Sequence, residues 1–445
     1  MTYIGTECEH PQVTSQRSRR TRACALVAVA AVLAVSAAAC SSAPSGSVTN
    51  STLTVAAFNP FTGPDASFGP EMMAGCLAAA TEVNAAGGVL SNKVACTSVD
   101  TRGDPADAVT AAAKMLATTP HLFGVLGPSS DEADATAPLI NAAKITMFGD
   151  TGEASFDHTK LEYFWRMTPA DDVLGDAMAL YAKQKGYLRA AAVFGTDIAA
   201  QSVVPTLLKG YSALGGQIVL NQKITLGQTS YQPEVEQLIA AKPQVIFTEA
   251  TPQANATYLA ELQQLGHLIP FIGSNATVYP AWFTAVGGAI GKSALSKYYV
   301  GTEPYAPASG GGWQAYNTAL LAAAGVTKPA SQWSDDSYSM VDYDGFIVMA
   351  LAATAAKSTS PSVWNKFIPA VTTASPGAMV VHSYADGIAA LKAGKTIDYV
   401  GATGLIAFNQ YHNSTGGFEI TGYQPNGSNP LVTSYTAADL APLIK

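Results

Sequence analysis

Residues 53–100 read LTVAAFNPFTGPDASFGPEMMAGCLAAATEVNAAGGVLSNKVACTSVD, and this stretch decides the fold. The apolar run Leu53–Phe58 predicts a strand, and a helix is predicted from Glu71 after a turn-rich loop. Asn84-Ala85-Ala86-Gly87-Gly88 ends that helix, because Gly just after the last turn is a common C-terminal signal. A second apolar run, Val94–Val99, predicts the next strand. The stretch is therefore a strand–helix–strand unit, which builds parallel α/β sheets.

The same order of elements continues and then recurs in the second part of the chain. Further strands are predicted at residues 122–126 and 145–148, with helices between them. The recurrence predicts strands at residues 190–194, 217–220, 245–248 and 271–273, and the helix after the first of these again stops at a Gly-Gly pair. This repeated order of strands and helices predicts two similar α/β lobes, each a doubly wound, Rossmann-like parallel sheet. A single large sheet is the alternative that the pattern leaves open.

The segment between the two series of strands predicts a first crossover. It runs extended through Phe164-Trp165-Arg166 into a helix that Asp171 or Asp172 could cap. After residue 304 the chain enters long helical stretches, residues 313–324 and 338–357, that are expected to return to the first lobe. The expected boundaries are residues 52–168 and 304–399 for lobe 1, and residues 169–303 and 400–445 for lobe 2.

The N-terminal residues predict an export signal. Four arginines between residues 17 and 22 precede a run of small apolar residues, 23–39, that ends at Cys40. Ala37-Ala38-Ala39-Cys40 resembles the lipobox of bacterial lipoproteins, which implies a signal peptide over residues 1–39, a lipid on Cys40 and a flexible linker over residues 40–51. The protein is then expected to be anchored to the outer face of the cell membrane. Simple cleavage after Ala39 stays open as the alternative.

Composition and cysteine usage exclude several classes of protein. The chain has 445 residues and a net charge of −8, so a nucleic-acid partner, which requires a basic surface, is not expected. Beyond Cys40 the only cysteines are Cys76 and Cys96, which in an oxidising compartment are more often a disulfide than a metal site. Motifs for hydrolases, zinc proteases, phosphate-binding loops and dinucleotides are absent from the sequence. No cofactor, metal or catalytic residue is therefore predicted.

Ligands of open α/β sheets bind beyond the carboxyl ends of the strands, and this rule nominates the loops that follow them. The Gly-rich turn at residues 127–130 offers free backbone N–H groups and hydroxyls at a helix start. Ser129 with Glu132 also fits a capping box, in which the serine only satisfies its own helix. The strand-end candidates are Phe68, Ser129, Ser130, Asp150, Thr151, Asp197, Glu249, Thr251 and Asn275.

The mature chain resembles the type I periplasmic binding proteins of the leucine/isoleucine/valine-binding group, which serve ABC transporters. The matching pieces are Phe61-Thr62-Gly63-Pro64, Phe68-Gly69, Gly75, the Asn84–Gly88 helix end, Asp100, Asp104-Pro105, Gly127–Ser130, Trp165-Arg166, Asp171, Tyr343-Asp344-Gly345, Leu391–Gly394 and Tyr399–Gly404. The resemblance implies three crossovers and a hinge closure that traps ligand. By position it places Phe68 beside the ligand, Ser129 and Ser130 at a carboxylate, and Asp171 at a binding position by the hinge.

The chain departs from the amino-acid binders of that group at two positions. Where they carry a Tyr-Gly pair after the first strand of lobe 2, this chain has Ile198-Ala199-Ala200, and where they carry a Glu for the ammonium it has Asn275. The resemblance therefore implies a small polar ligand, either an amino acid, an amide or a urea-like compound.

Three classes of function remain open at this point. The first is a monomeric binding component that delivers its ligand to an ABC transporter permease. The second is a lipid-anchored sensor subunit for a membrane receptor, and the third is a cell-envelope enzyme.

Overall fold

The computed structural model describes residues 51–63, 65–305, 307–414, 416–440 and 442–443. The predicted leader, the lipidation site Cys40 and nearly all of the linker lie outside these residues. Strands and helices alternate along the chain and form two large sheets with helices on their faces. The α/β fold with two doubly wound sheets is as predicted, and the single-sheet alternative is wrong.

The first sheet has five parallel strands in the order β2-β1-β3-β4-β5. Its strands are β1 (Leu53–Asn59), β2 (Val94–Asp100), β3 (Leu122–Ser129), β4 (Met147–Asp150) and β5 (Phe164–Arg166). Its connecting helices are α1 (Phe68–Ala85), α2 (Pro105–Thr118) and α3 (Ser130–Ala142). Because the strands are parallel, all their carboxyl ends lie at one edge of the sheet.

The second sheet has seven strands in the order β15-β14-β10-β9-β8-β6-β7. The elements in chain order are α4 (Asp171–Gln184), β6 (Arg189–Gly195), α5 (Ile198–Ala213), β7 (Gln217–Ile224), α6 (Gln232–Ala241), β8 (Val245–Glu249), α7 (Pro252–Gln264), β9 (Phe271–Gly273), α8 (Pro280–Ile290), α9 (Lys292–Tyr298) and β10 (Tyr299–Pro304). Five of the strands are parallel, and the last two of the chain join antiparallel at one edge.

The chain then leaves the second sheet, forms a helical layer and a small sheet, and returns. The elements are α10 (Gly310–Ala322), α11 (Ser337–Ala356), α12 (Pro361–Trp364), α13 (Ile368–Thr372), β11 (Met379–Val381), α14 (Tyr384–Lys392), β12 (Ile397–Gly401), β13 (Gly404–Leu405), β14 (Phe418–Thr421), β15 (Leu431–Tyr435) and α15 (Ala437–Leu440). Helices α10 and α11 pack against α1, and β14 and β15 belong to the second sheet. The chain therefore passes between the sheets three times.

Helix α11 is the centre of the core beside the first sheet. It is long and apolar enough to cross a membrane by length and composition, but it is buried from Ser337 to Ala353. Its two acidic residues in that stretch are enclosed, and Asp344 accepts hydrogen bonds from the Tyr399 hydroxyl (2.8 Å) and the Ala402 N–H (2.9 Å). Helix α1 approaches it closely, because a Cβ added at Gly75 would lie 2.1 Å from the Ser339 carbonyl oxygen.

The disulfide expected from the cysteine count is present. Cys76 in α1 and Cys96 in β2 are bonded, with their Cα atoms 6.1 Å apart and 20 positions apart in the sequence. The bond fastens the first helix to a strand at the edge of the sheet. On the chain-entropy estimate a loop of this length contributes about 3 kcal/mol to stability.

Two local predictions differ from the structure. The fourth strand lies at Met147–Asp150 rather than at residues 145–148, so Asp150 is its last residue. The expectation that Asp171 or Asp172 caps the next helix is wrong. Both lie inside the first turn of α4, and Ala170 occupies the cap position. Acidic residues in the first turn stabilise a helix by interacting with the positive end of its dipole, without acting as caps.

Candidate functional site

A cavity of about 230 Å³ lies between the carboxyl ends of the two sheets. The loops after β1, β2, β3 and β4 contribute one wall, and those after β6, β7, β8 and β9 contribute the other. The side chains that line it include Asp65, Phe68, Met72, Ser129, Asp131, Glu132, Asp150, Asp171, Asp197, Leu226, Glu249, Thr251, Asn275, Tyr279 and Tyr338. Both sheets therefore present the ends where ligands bind in this class of fold.

The most distinctive feature of this cavity is its acidity. Carboxyl groups come from seven lining residues: Asp65, Asp131, Glu132, Asp150, Asp171, Asp197 and Glu249. Among the described residues of the wall there is no Lys, Arg or His. Carboxyls that share a low-dielectric space without a counter-charge hold protons more strongly, so the raised pKa values described below follow from burial and mutual repulsion.

Asp150, at the end of β4, is the most isolated of these carboxyls. It is 4% exposed, and neither oxygen accepts a hydrogen bond of ordinary geometry from a described residue. Burial raises its pKa to about 7. The buried Asp342 carboxyl of α11 is its close electrostatic neighbour, and burial and the charge of Asp150 raise the pKa of Asp342 well above its ordinary value. The two carboxyls therefore titrate as a pair.

Glu249, at the end of β8, is 3% exposed, and its Oε2 atom has no hydrogen-bond partner among the described residues. Burial first, and then the charges of Asp197, Asp171 and Asp131, raise its pKa well above the ordinary value. Asp197 caps α5 by accepting a 2.8 Å hydrogen bond at Oδ1 from the Ala200 N–H, while its buried Oδ2 is unpartnered. Burial raises the pKa of Asp197 as well. One oxygen of this residue thus serves the helix, and the other is available to a ligand.

Asp131 joins the two walls. Its Oδ1 atom accepts a 2.9 Å hydrogen bond from the Ala199 N–H in the first turn of α5. Burial raises the pKa of Asp131 to about 6, and the Asp197 charge contributes in the same direction. Burial, with the charges of Asp131 and Asp197, raises the pKa of Asp65 to about 7. These carboxyls therefore form one electrostatically coupled group with Glu249.

The Ser129 hydroxyl is hydrogen-bonded within the protein. Its hydroxyl donates to Glu132 Oε1 (2.9 Å), which also accepts from the Thr101 hydroxyl (2.7 Å). Ser129 holds the cap position of α3 but makes no side-chain cap hydrogen bond, so the capping box predicted as the alternative is not formed. Burial raises the pKa of the fully buried Glu132 to about 7.

Asp171 lies at the start of α4, near the first passage between the sheets. Its Oδ2 atom accepts a short hydrogen bond from the Ser202 hydroxyl, and burial raises its pKa to about 6 although Arg166 acts in the opposite direction. The Arg166 guanidinium is itself bound to Asp157 Oδ1 (2.6 Å) and to the carbonyl oxygens of Gly152 and Glu153 (3.2 and 3.0 Å). The buried Arg166 guanidinium is therefore already paired, and it does not line the cavity.

An aromatic wall completes the cavity. The Phe68 and Tyr279 rings meet edge to face at 4.6 Å between centroids, and Tyr338 lies 6.4 Å from Phe68. Asn275 Nδ2 donates to the Tyr338 hydroxyl at 2.5 Å, which links the end of β9 to α11. The Asn275 Oδ1 atom accepts from the Ala276 N–H (3.1 Å). The amide of Asn275 therefore orients the aromatic wall.

Most of the predicted site residues converge on this cavity. Those that line it are Phe68, Ser129, Asp150, Asp171, Asp197, Glu249, Thr251 and Asn275. Thr251 holds the N-cap position of α7 and makes no side-chain cap hydrogen bond. Thr151 is fully buried outside the lining, where its hydroxyl accepts from the Glu153 N–H at 3.3 Å. Ser130 is the first residue of α3, and its side chain lies outside what the structure describes.

Sequence reasoning did not single out several polar and aromatic residues of the wall. Asp131 and Glu132 directly follow the nominated serines, and Asp65 falls in the loop after β1, so the position of these acidic groups beside predicted loops was an available signal. Tyr279 and Tyr338 carried no such signal. They come from the starts of α8 and α11, which only the tertiary fold brings beside Phe68.

Comparison with known proteins places this geometry in a family. The model of the periplasmic binding protein family matches residues 52–413. An amino acid binding protein of Pseudomonas aeruginosa is 24% identical over 242 residues, which are 53% of this chain and 64% of that relative. The Leu/Ile/Val-binding protein BraC3 of Rhizobium johnstonii is 25% identical over 251 residues, 55% of this chain and 68% of the relative. The match thus spans slightly less than two thirds of the Pseudomonas protein.

Solved structures share the fold at low identity. A leucine-binding protein of Thermotoga maritima superposes with a TM-score of 0.69 at 17% identity, covering 87% of this chain and 99% of that one. A solute-binding protein of Rhodopseudomonas palustris in complex with p-hydroxybenzoic acid superposes with a TM-score of 0.68 at 18% identity, covering 87% and 97%. One fold therefore serves chemically different ligands. Since the family model matches well over half of the sequence, this chain belongs to the periplasmic binding protein family.

Proposed function

We propose that this protein is the extracytoplasmic substrate-binding component of an ABC importer, with no chemistry of its own, and that it closes over a small polar solute. The observation that carries the proposal is the buried cavity between the two sheets, lined by strand ends from both. The names of relatives as amino acid binding and Leu/Ile/Val-binding proteins support a transport role. An amino acid, an amide and a urea-like compound are the solute classes that the family suggests.

Closure would move two lobes about the three passages of the chain. We assign residues 52–168 and 304–399 to lobe 1, and residues 169–303 and 400–445 to lobe 2. Two hydrogen bonds between their elements support a closed arrangement: Asp131 with Ala199, and Asn275 with Tyr338. Such contacts stabilise the closed state, and a ligand that contacts both walls stabilises it further.

We further propose that Cys40 carries a lipid that holds the protein at the outer face of the cell membrane, as a monomer that docks on the permease. The support is the sequence of residues 17–40. Stable anchoring requires more than one acyl chain, and a bacterial lipoprotein cysteine supplies it.

The decisive experiment is native mass spectrometry of freshly purified protein, followed by thermal-shift screening of the stripped protein with solutes of different charge. We expect a retained small molecule, and a radius of gyration by small-angle scattering that falls when that solute is restored. A protein that retains no solute and whose midpoint responds to none in the screen would contradict the proposal.

A further inference from the structure

We propose that the solute is an organic cation with two or more amino or guanidino groups. This inference rests on the proposed binding function and names its substrate class. Its basis is an acidic cavity whose described lining residues include no basic side chain, together with buried carboxyl oxygens that meet no donor in ordinary hydrogen-bond geometry.

Charge is the first line of support. The wall presents seven carboxyl groups and, within the described part of the chain, no basic side chain. The nearest buried guanidinium, that of Arg166, is turned to Asp157 and two backbone carbonyls. A carboxylate ligand would find no counter-charge in this wall, whereas a cation can pair with carboxyls that lose their protons to solvent as it binds.

Unpartnered buried atoms are the second and independent line. Asp150 and Glu249 line the cavity at 4% and 3% exposure. Both oxygens of Asp150 and Oε2 of Glu249 meet no donor in ordinary hydrogen-bond geometry, and the polar groups nearest them are the Asp342 carboxyl and the Ser274 hydroxyl. Buried acceptors in folded proteins are almost always paired. Ammonium and guanidinium groups offer only donors, so they match a wall whose unsatisfied groups are acceptors.

The carboxyls form two separate groups, and this separation calls for more than one positive charge. The Asp197 charge raises the pKa of Asp65, Asp131 and Glu249, so these carboxyls lie near Asp197. Asp150 instead ends β4 of the first sheet, and its electrostatic neighbour is Asp342 of α11. One monovalent group cannot neutralise both.

The rest of the wall fits the carbon skeleton of such a cation. Phe68, Met72, Leu226, Tyr279 and Tyr338 line the same cavity. Aromatic faces attract amino and guanidino groups, and apolar side chains pack against the methylenes between them. In the described residues no group of three or more acidic, His or Cys side chains is arranged to hold a metal ion, and the carboxyls are spread around the cavity.

The test is calorimetric titration of the ligand-stripped protein at pH 7.5 with 1,4-diaminobutane, 1,5-diaminopentane and 4-guanidinobutylamine. The comparison solutes are butylamine, leucine, propionamide, benzoate and Ca²⁺. We expect at least one dication to bind about tenfold or more tightly than butylamine, because a charged hydrogen-bonded pair is worth at least a factor of ten. Leucine, propionamide and benzoate should bind more weakly still.

Two wall variants and one control complete the design. Glu249→Gln and Asp150→Asn keep the shape of the side chain and remove a carboxyl that could ionise when a cation binds, so each should weaken dication binding about tenfold or more. Glu236→Gln removes the same charge from the exposed face of α6 and should change nothing. Unchanged or raised thermal midpoints of the unliganded wall variants will establish that they fold.

The outcomes separate this inference from the proposed function. Tighter binding of leucine, propionamide or benzoate than of any dication would overturn the inference and leave the binding function standing. Ca²⁺ that binds as tightly and displaces the dication would overturn it too, as would wall variants that bind dications like the parent protein. Absence of binding by every solute, with no molecule retained on purification, would overturn both.

Discussion

Replacing Asp150 with Asn should change how the stability of the ligand-free protein depends on pH. The folded protein raises the pKa of this carboxyl from its ordinary value of 3.8 to about 7, mainly by burial. Between those two values the folded chain retains a proton that the unfolded chain has lost. Folding is therefore favoured least at high pH: the penalty from Asp150 grows as pH rises from 4 to 7 and is constant above 7.

The size of the effect follows from the same pair of values. Between the two pKa values, each increase of one pH unit lowers the free energy of unfolding by about 1.4 kcal/mol. The loss is therefore about 3 kcal/mol between pH 5 and pH 7. Asn has no titrating group and nearly the same shape. The gain in stability from Asp150→Asn over the wild type should therefore be about 3 kcal/mol larger at pH 8 than at pH 5. Because Asp342 titrates with Asp150, this gain belongs to the pair.

Urea denaturation of stripped protein at pH 5 and pH 8 measures this difference directly. The other acidic groups of the cavity titrate in both proteins and cancel in the comparison. Glu236→Gln serves as the exposed control and should give the same difference from wild type at both pH values. If Asp150→Asn also differs from wild type by an amount that does not depend on pH, then Asp150 is ionised at both pH values and the reasoning from burial fails.

Three further predictions concern other parts of the molecule. Cys76→Ser with Cys96→Ser should lower the free energy of unfolding by about 3 kcal/mol through loss of the closed loop; equal urea midpoints of oxidised wild type and double variant would count against this. Cys40→Ala should move the protein from the membrane to the soluble fraction with an unchanged melting temperature, and continued membrane association would exclude lipidation there. Asp131→Ala removes the hydrogen bond to the Ala199 N–H, so the ligand-free protein should show a larger radius of gyration by small-angle scattering, whereas an unchanged radius would show that this contact does not hold the walls together.

Local sequence signals predicted the sheets because each signal acts within a few residues. The Gly87-Gly88 stop, the apolar runs and the strand-end position of Asp150 and Glu249 require no knowledge of the rest of the chain. These signals also predicted that most of the candidate site residues lie together, since parallel strands end at a shared edge of the sheet.

The sequence could not show which other side chains hydrogen-bond to the predicted site residues. Ser129 was predicted to bind a ligand or to cap its helix. Its hydroxyl donates to Glu132, which also accepts from the Thr101 hydroxyl, and this partner was not predicted. Asn275 was predicted to contact a ligand and donates to Tyr338, 63 positions away. Such competition between partners depends on distances that only the folded chain defines.

The buried helix α11 has a consequence for how an exported chain reaches its destination. In a chain threaded unfolded through a translocation channel, residues 337–356 would be long and apolar enough to enter the bilayer as a stop-transfer anchor. Asp342 and Asp344 would oppose this, since an aspartate near the centre of such a segment disfavours insertion by up to about 3 kcal/mol. The two carboxyls that the folded core encloses would then also disfavour arrest of the unfolded chain in the membrane.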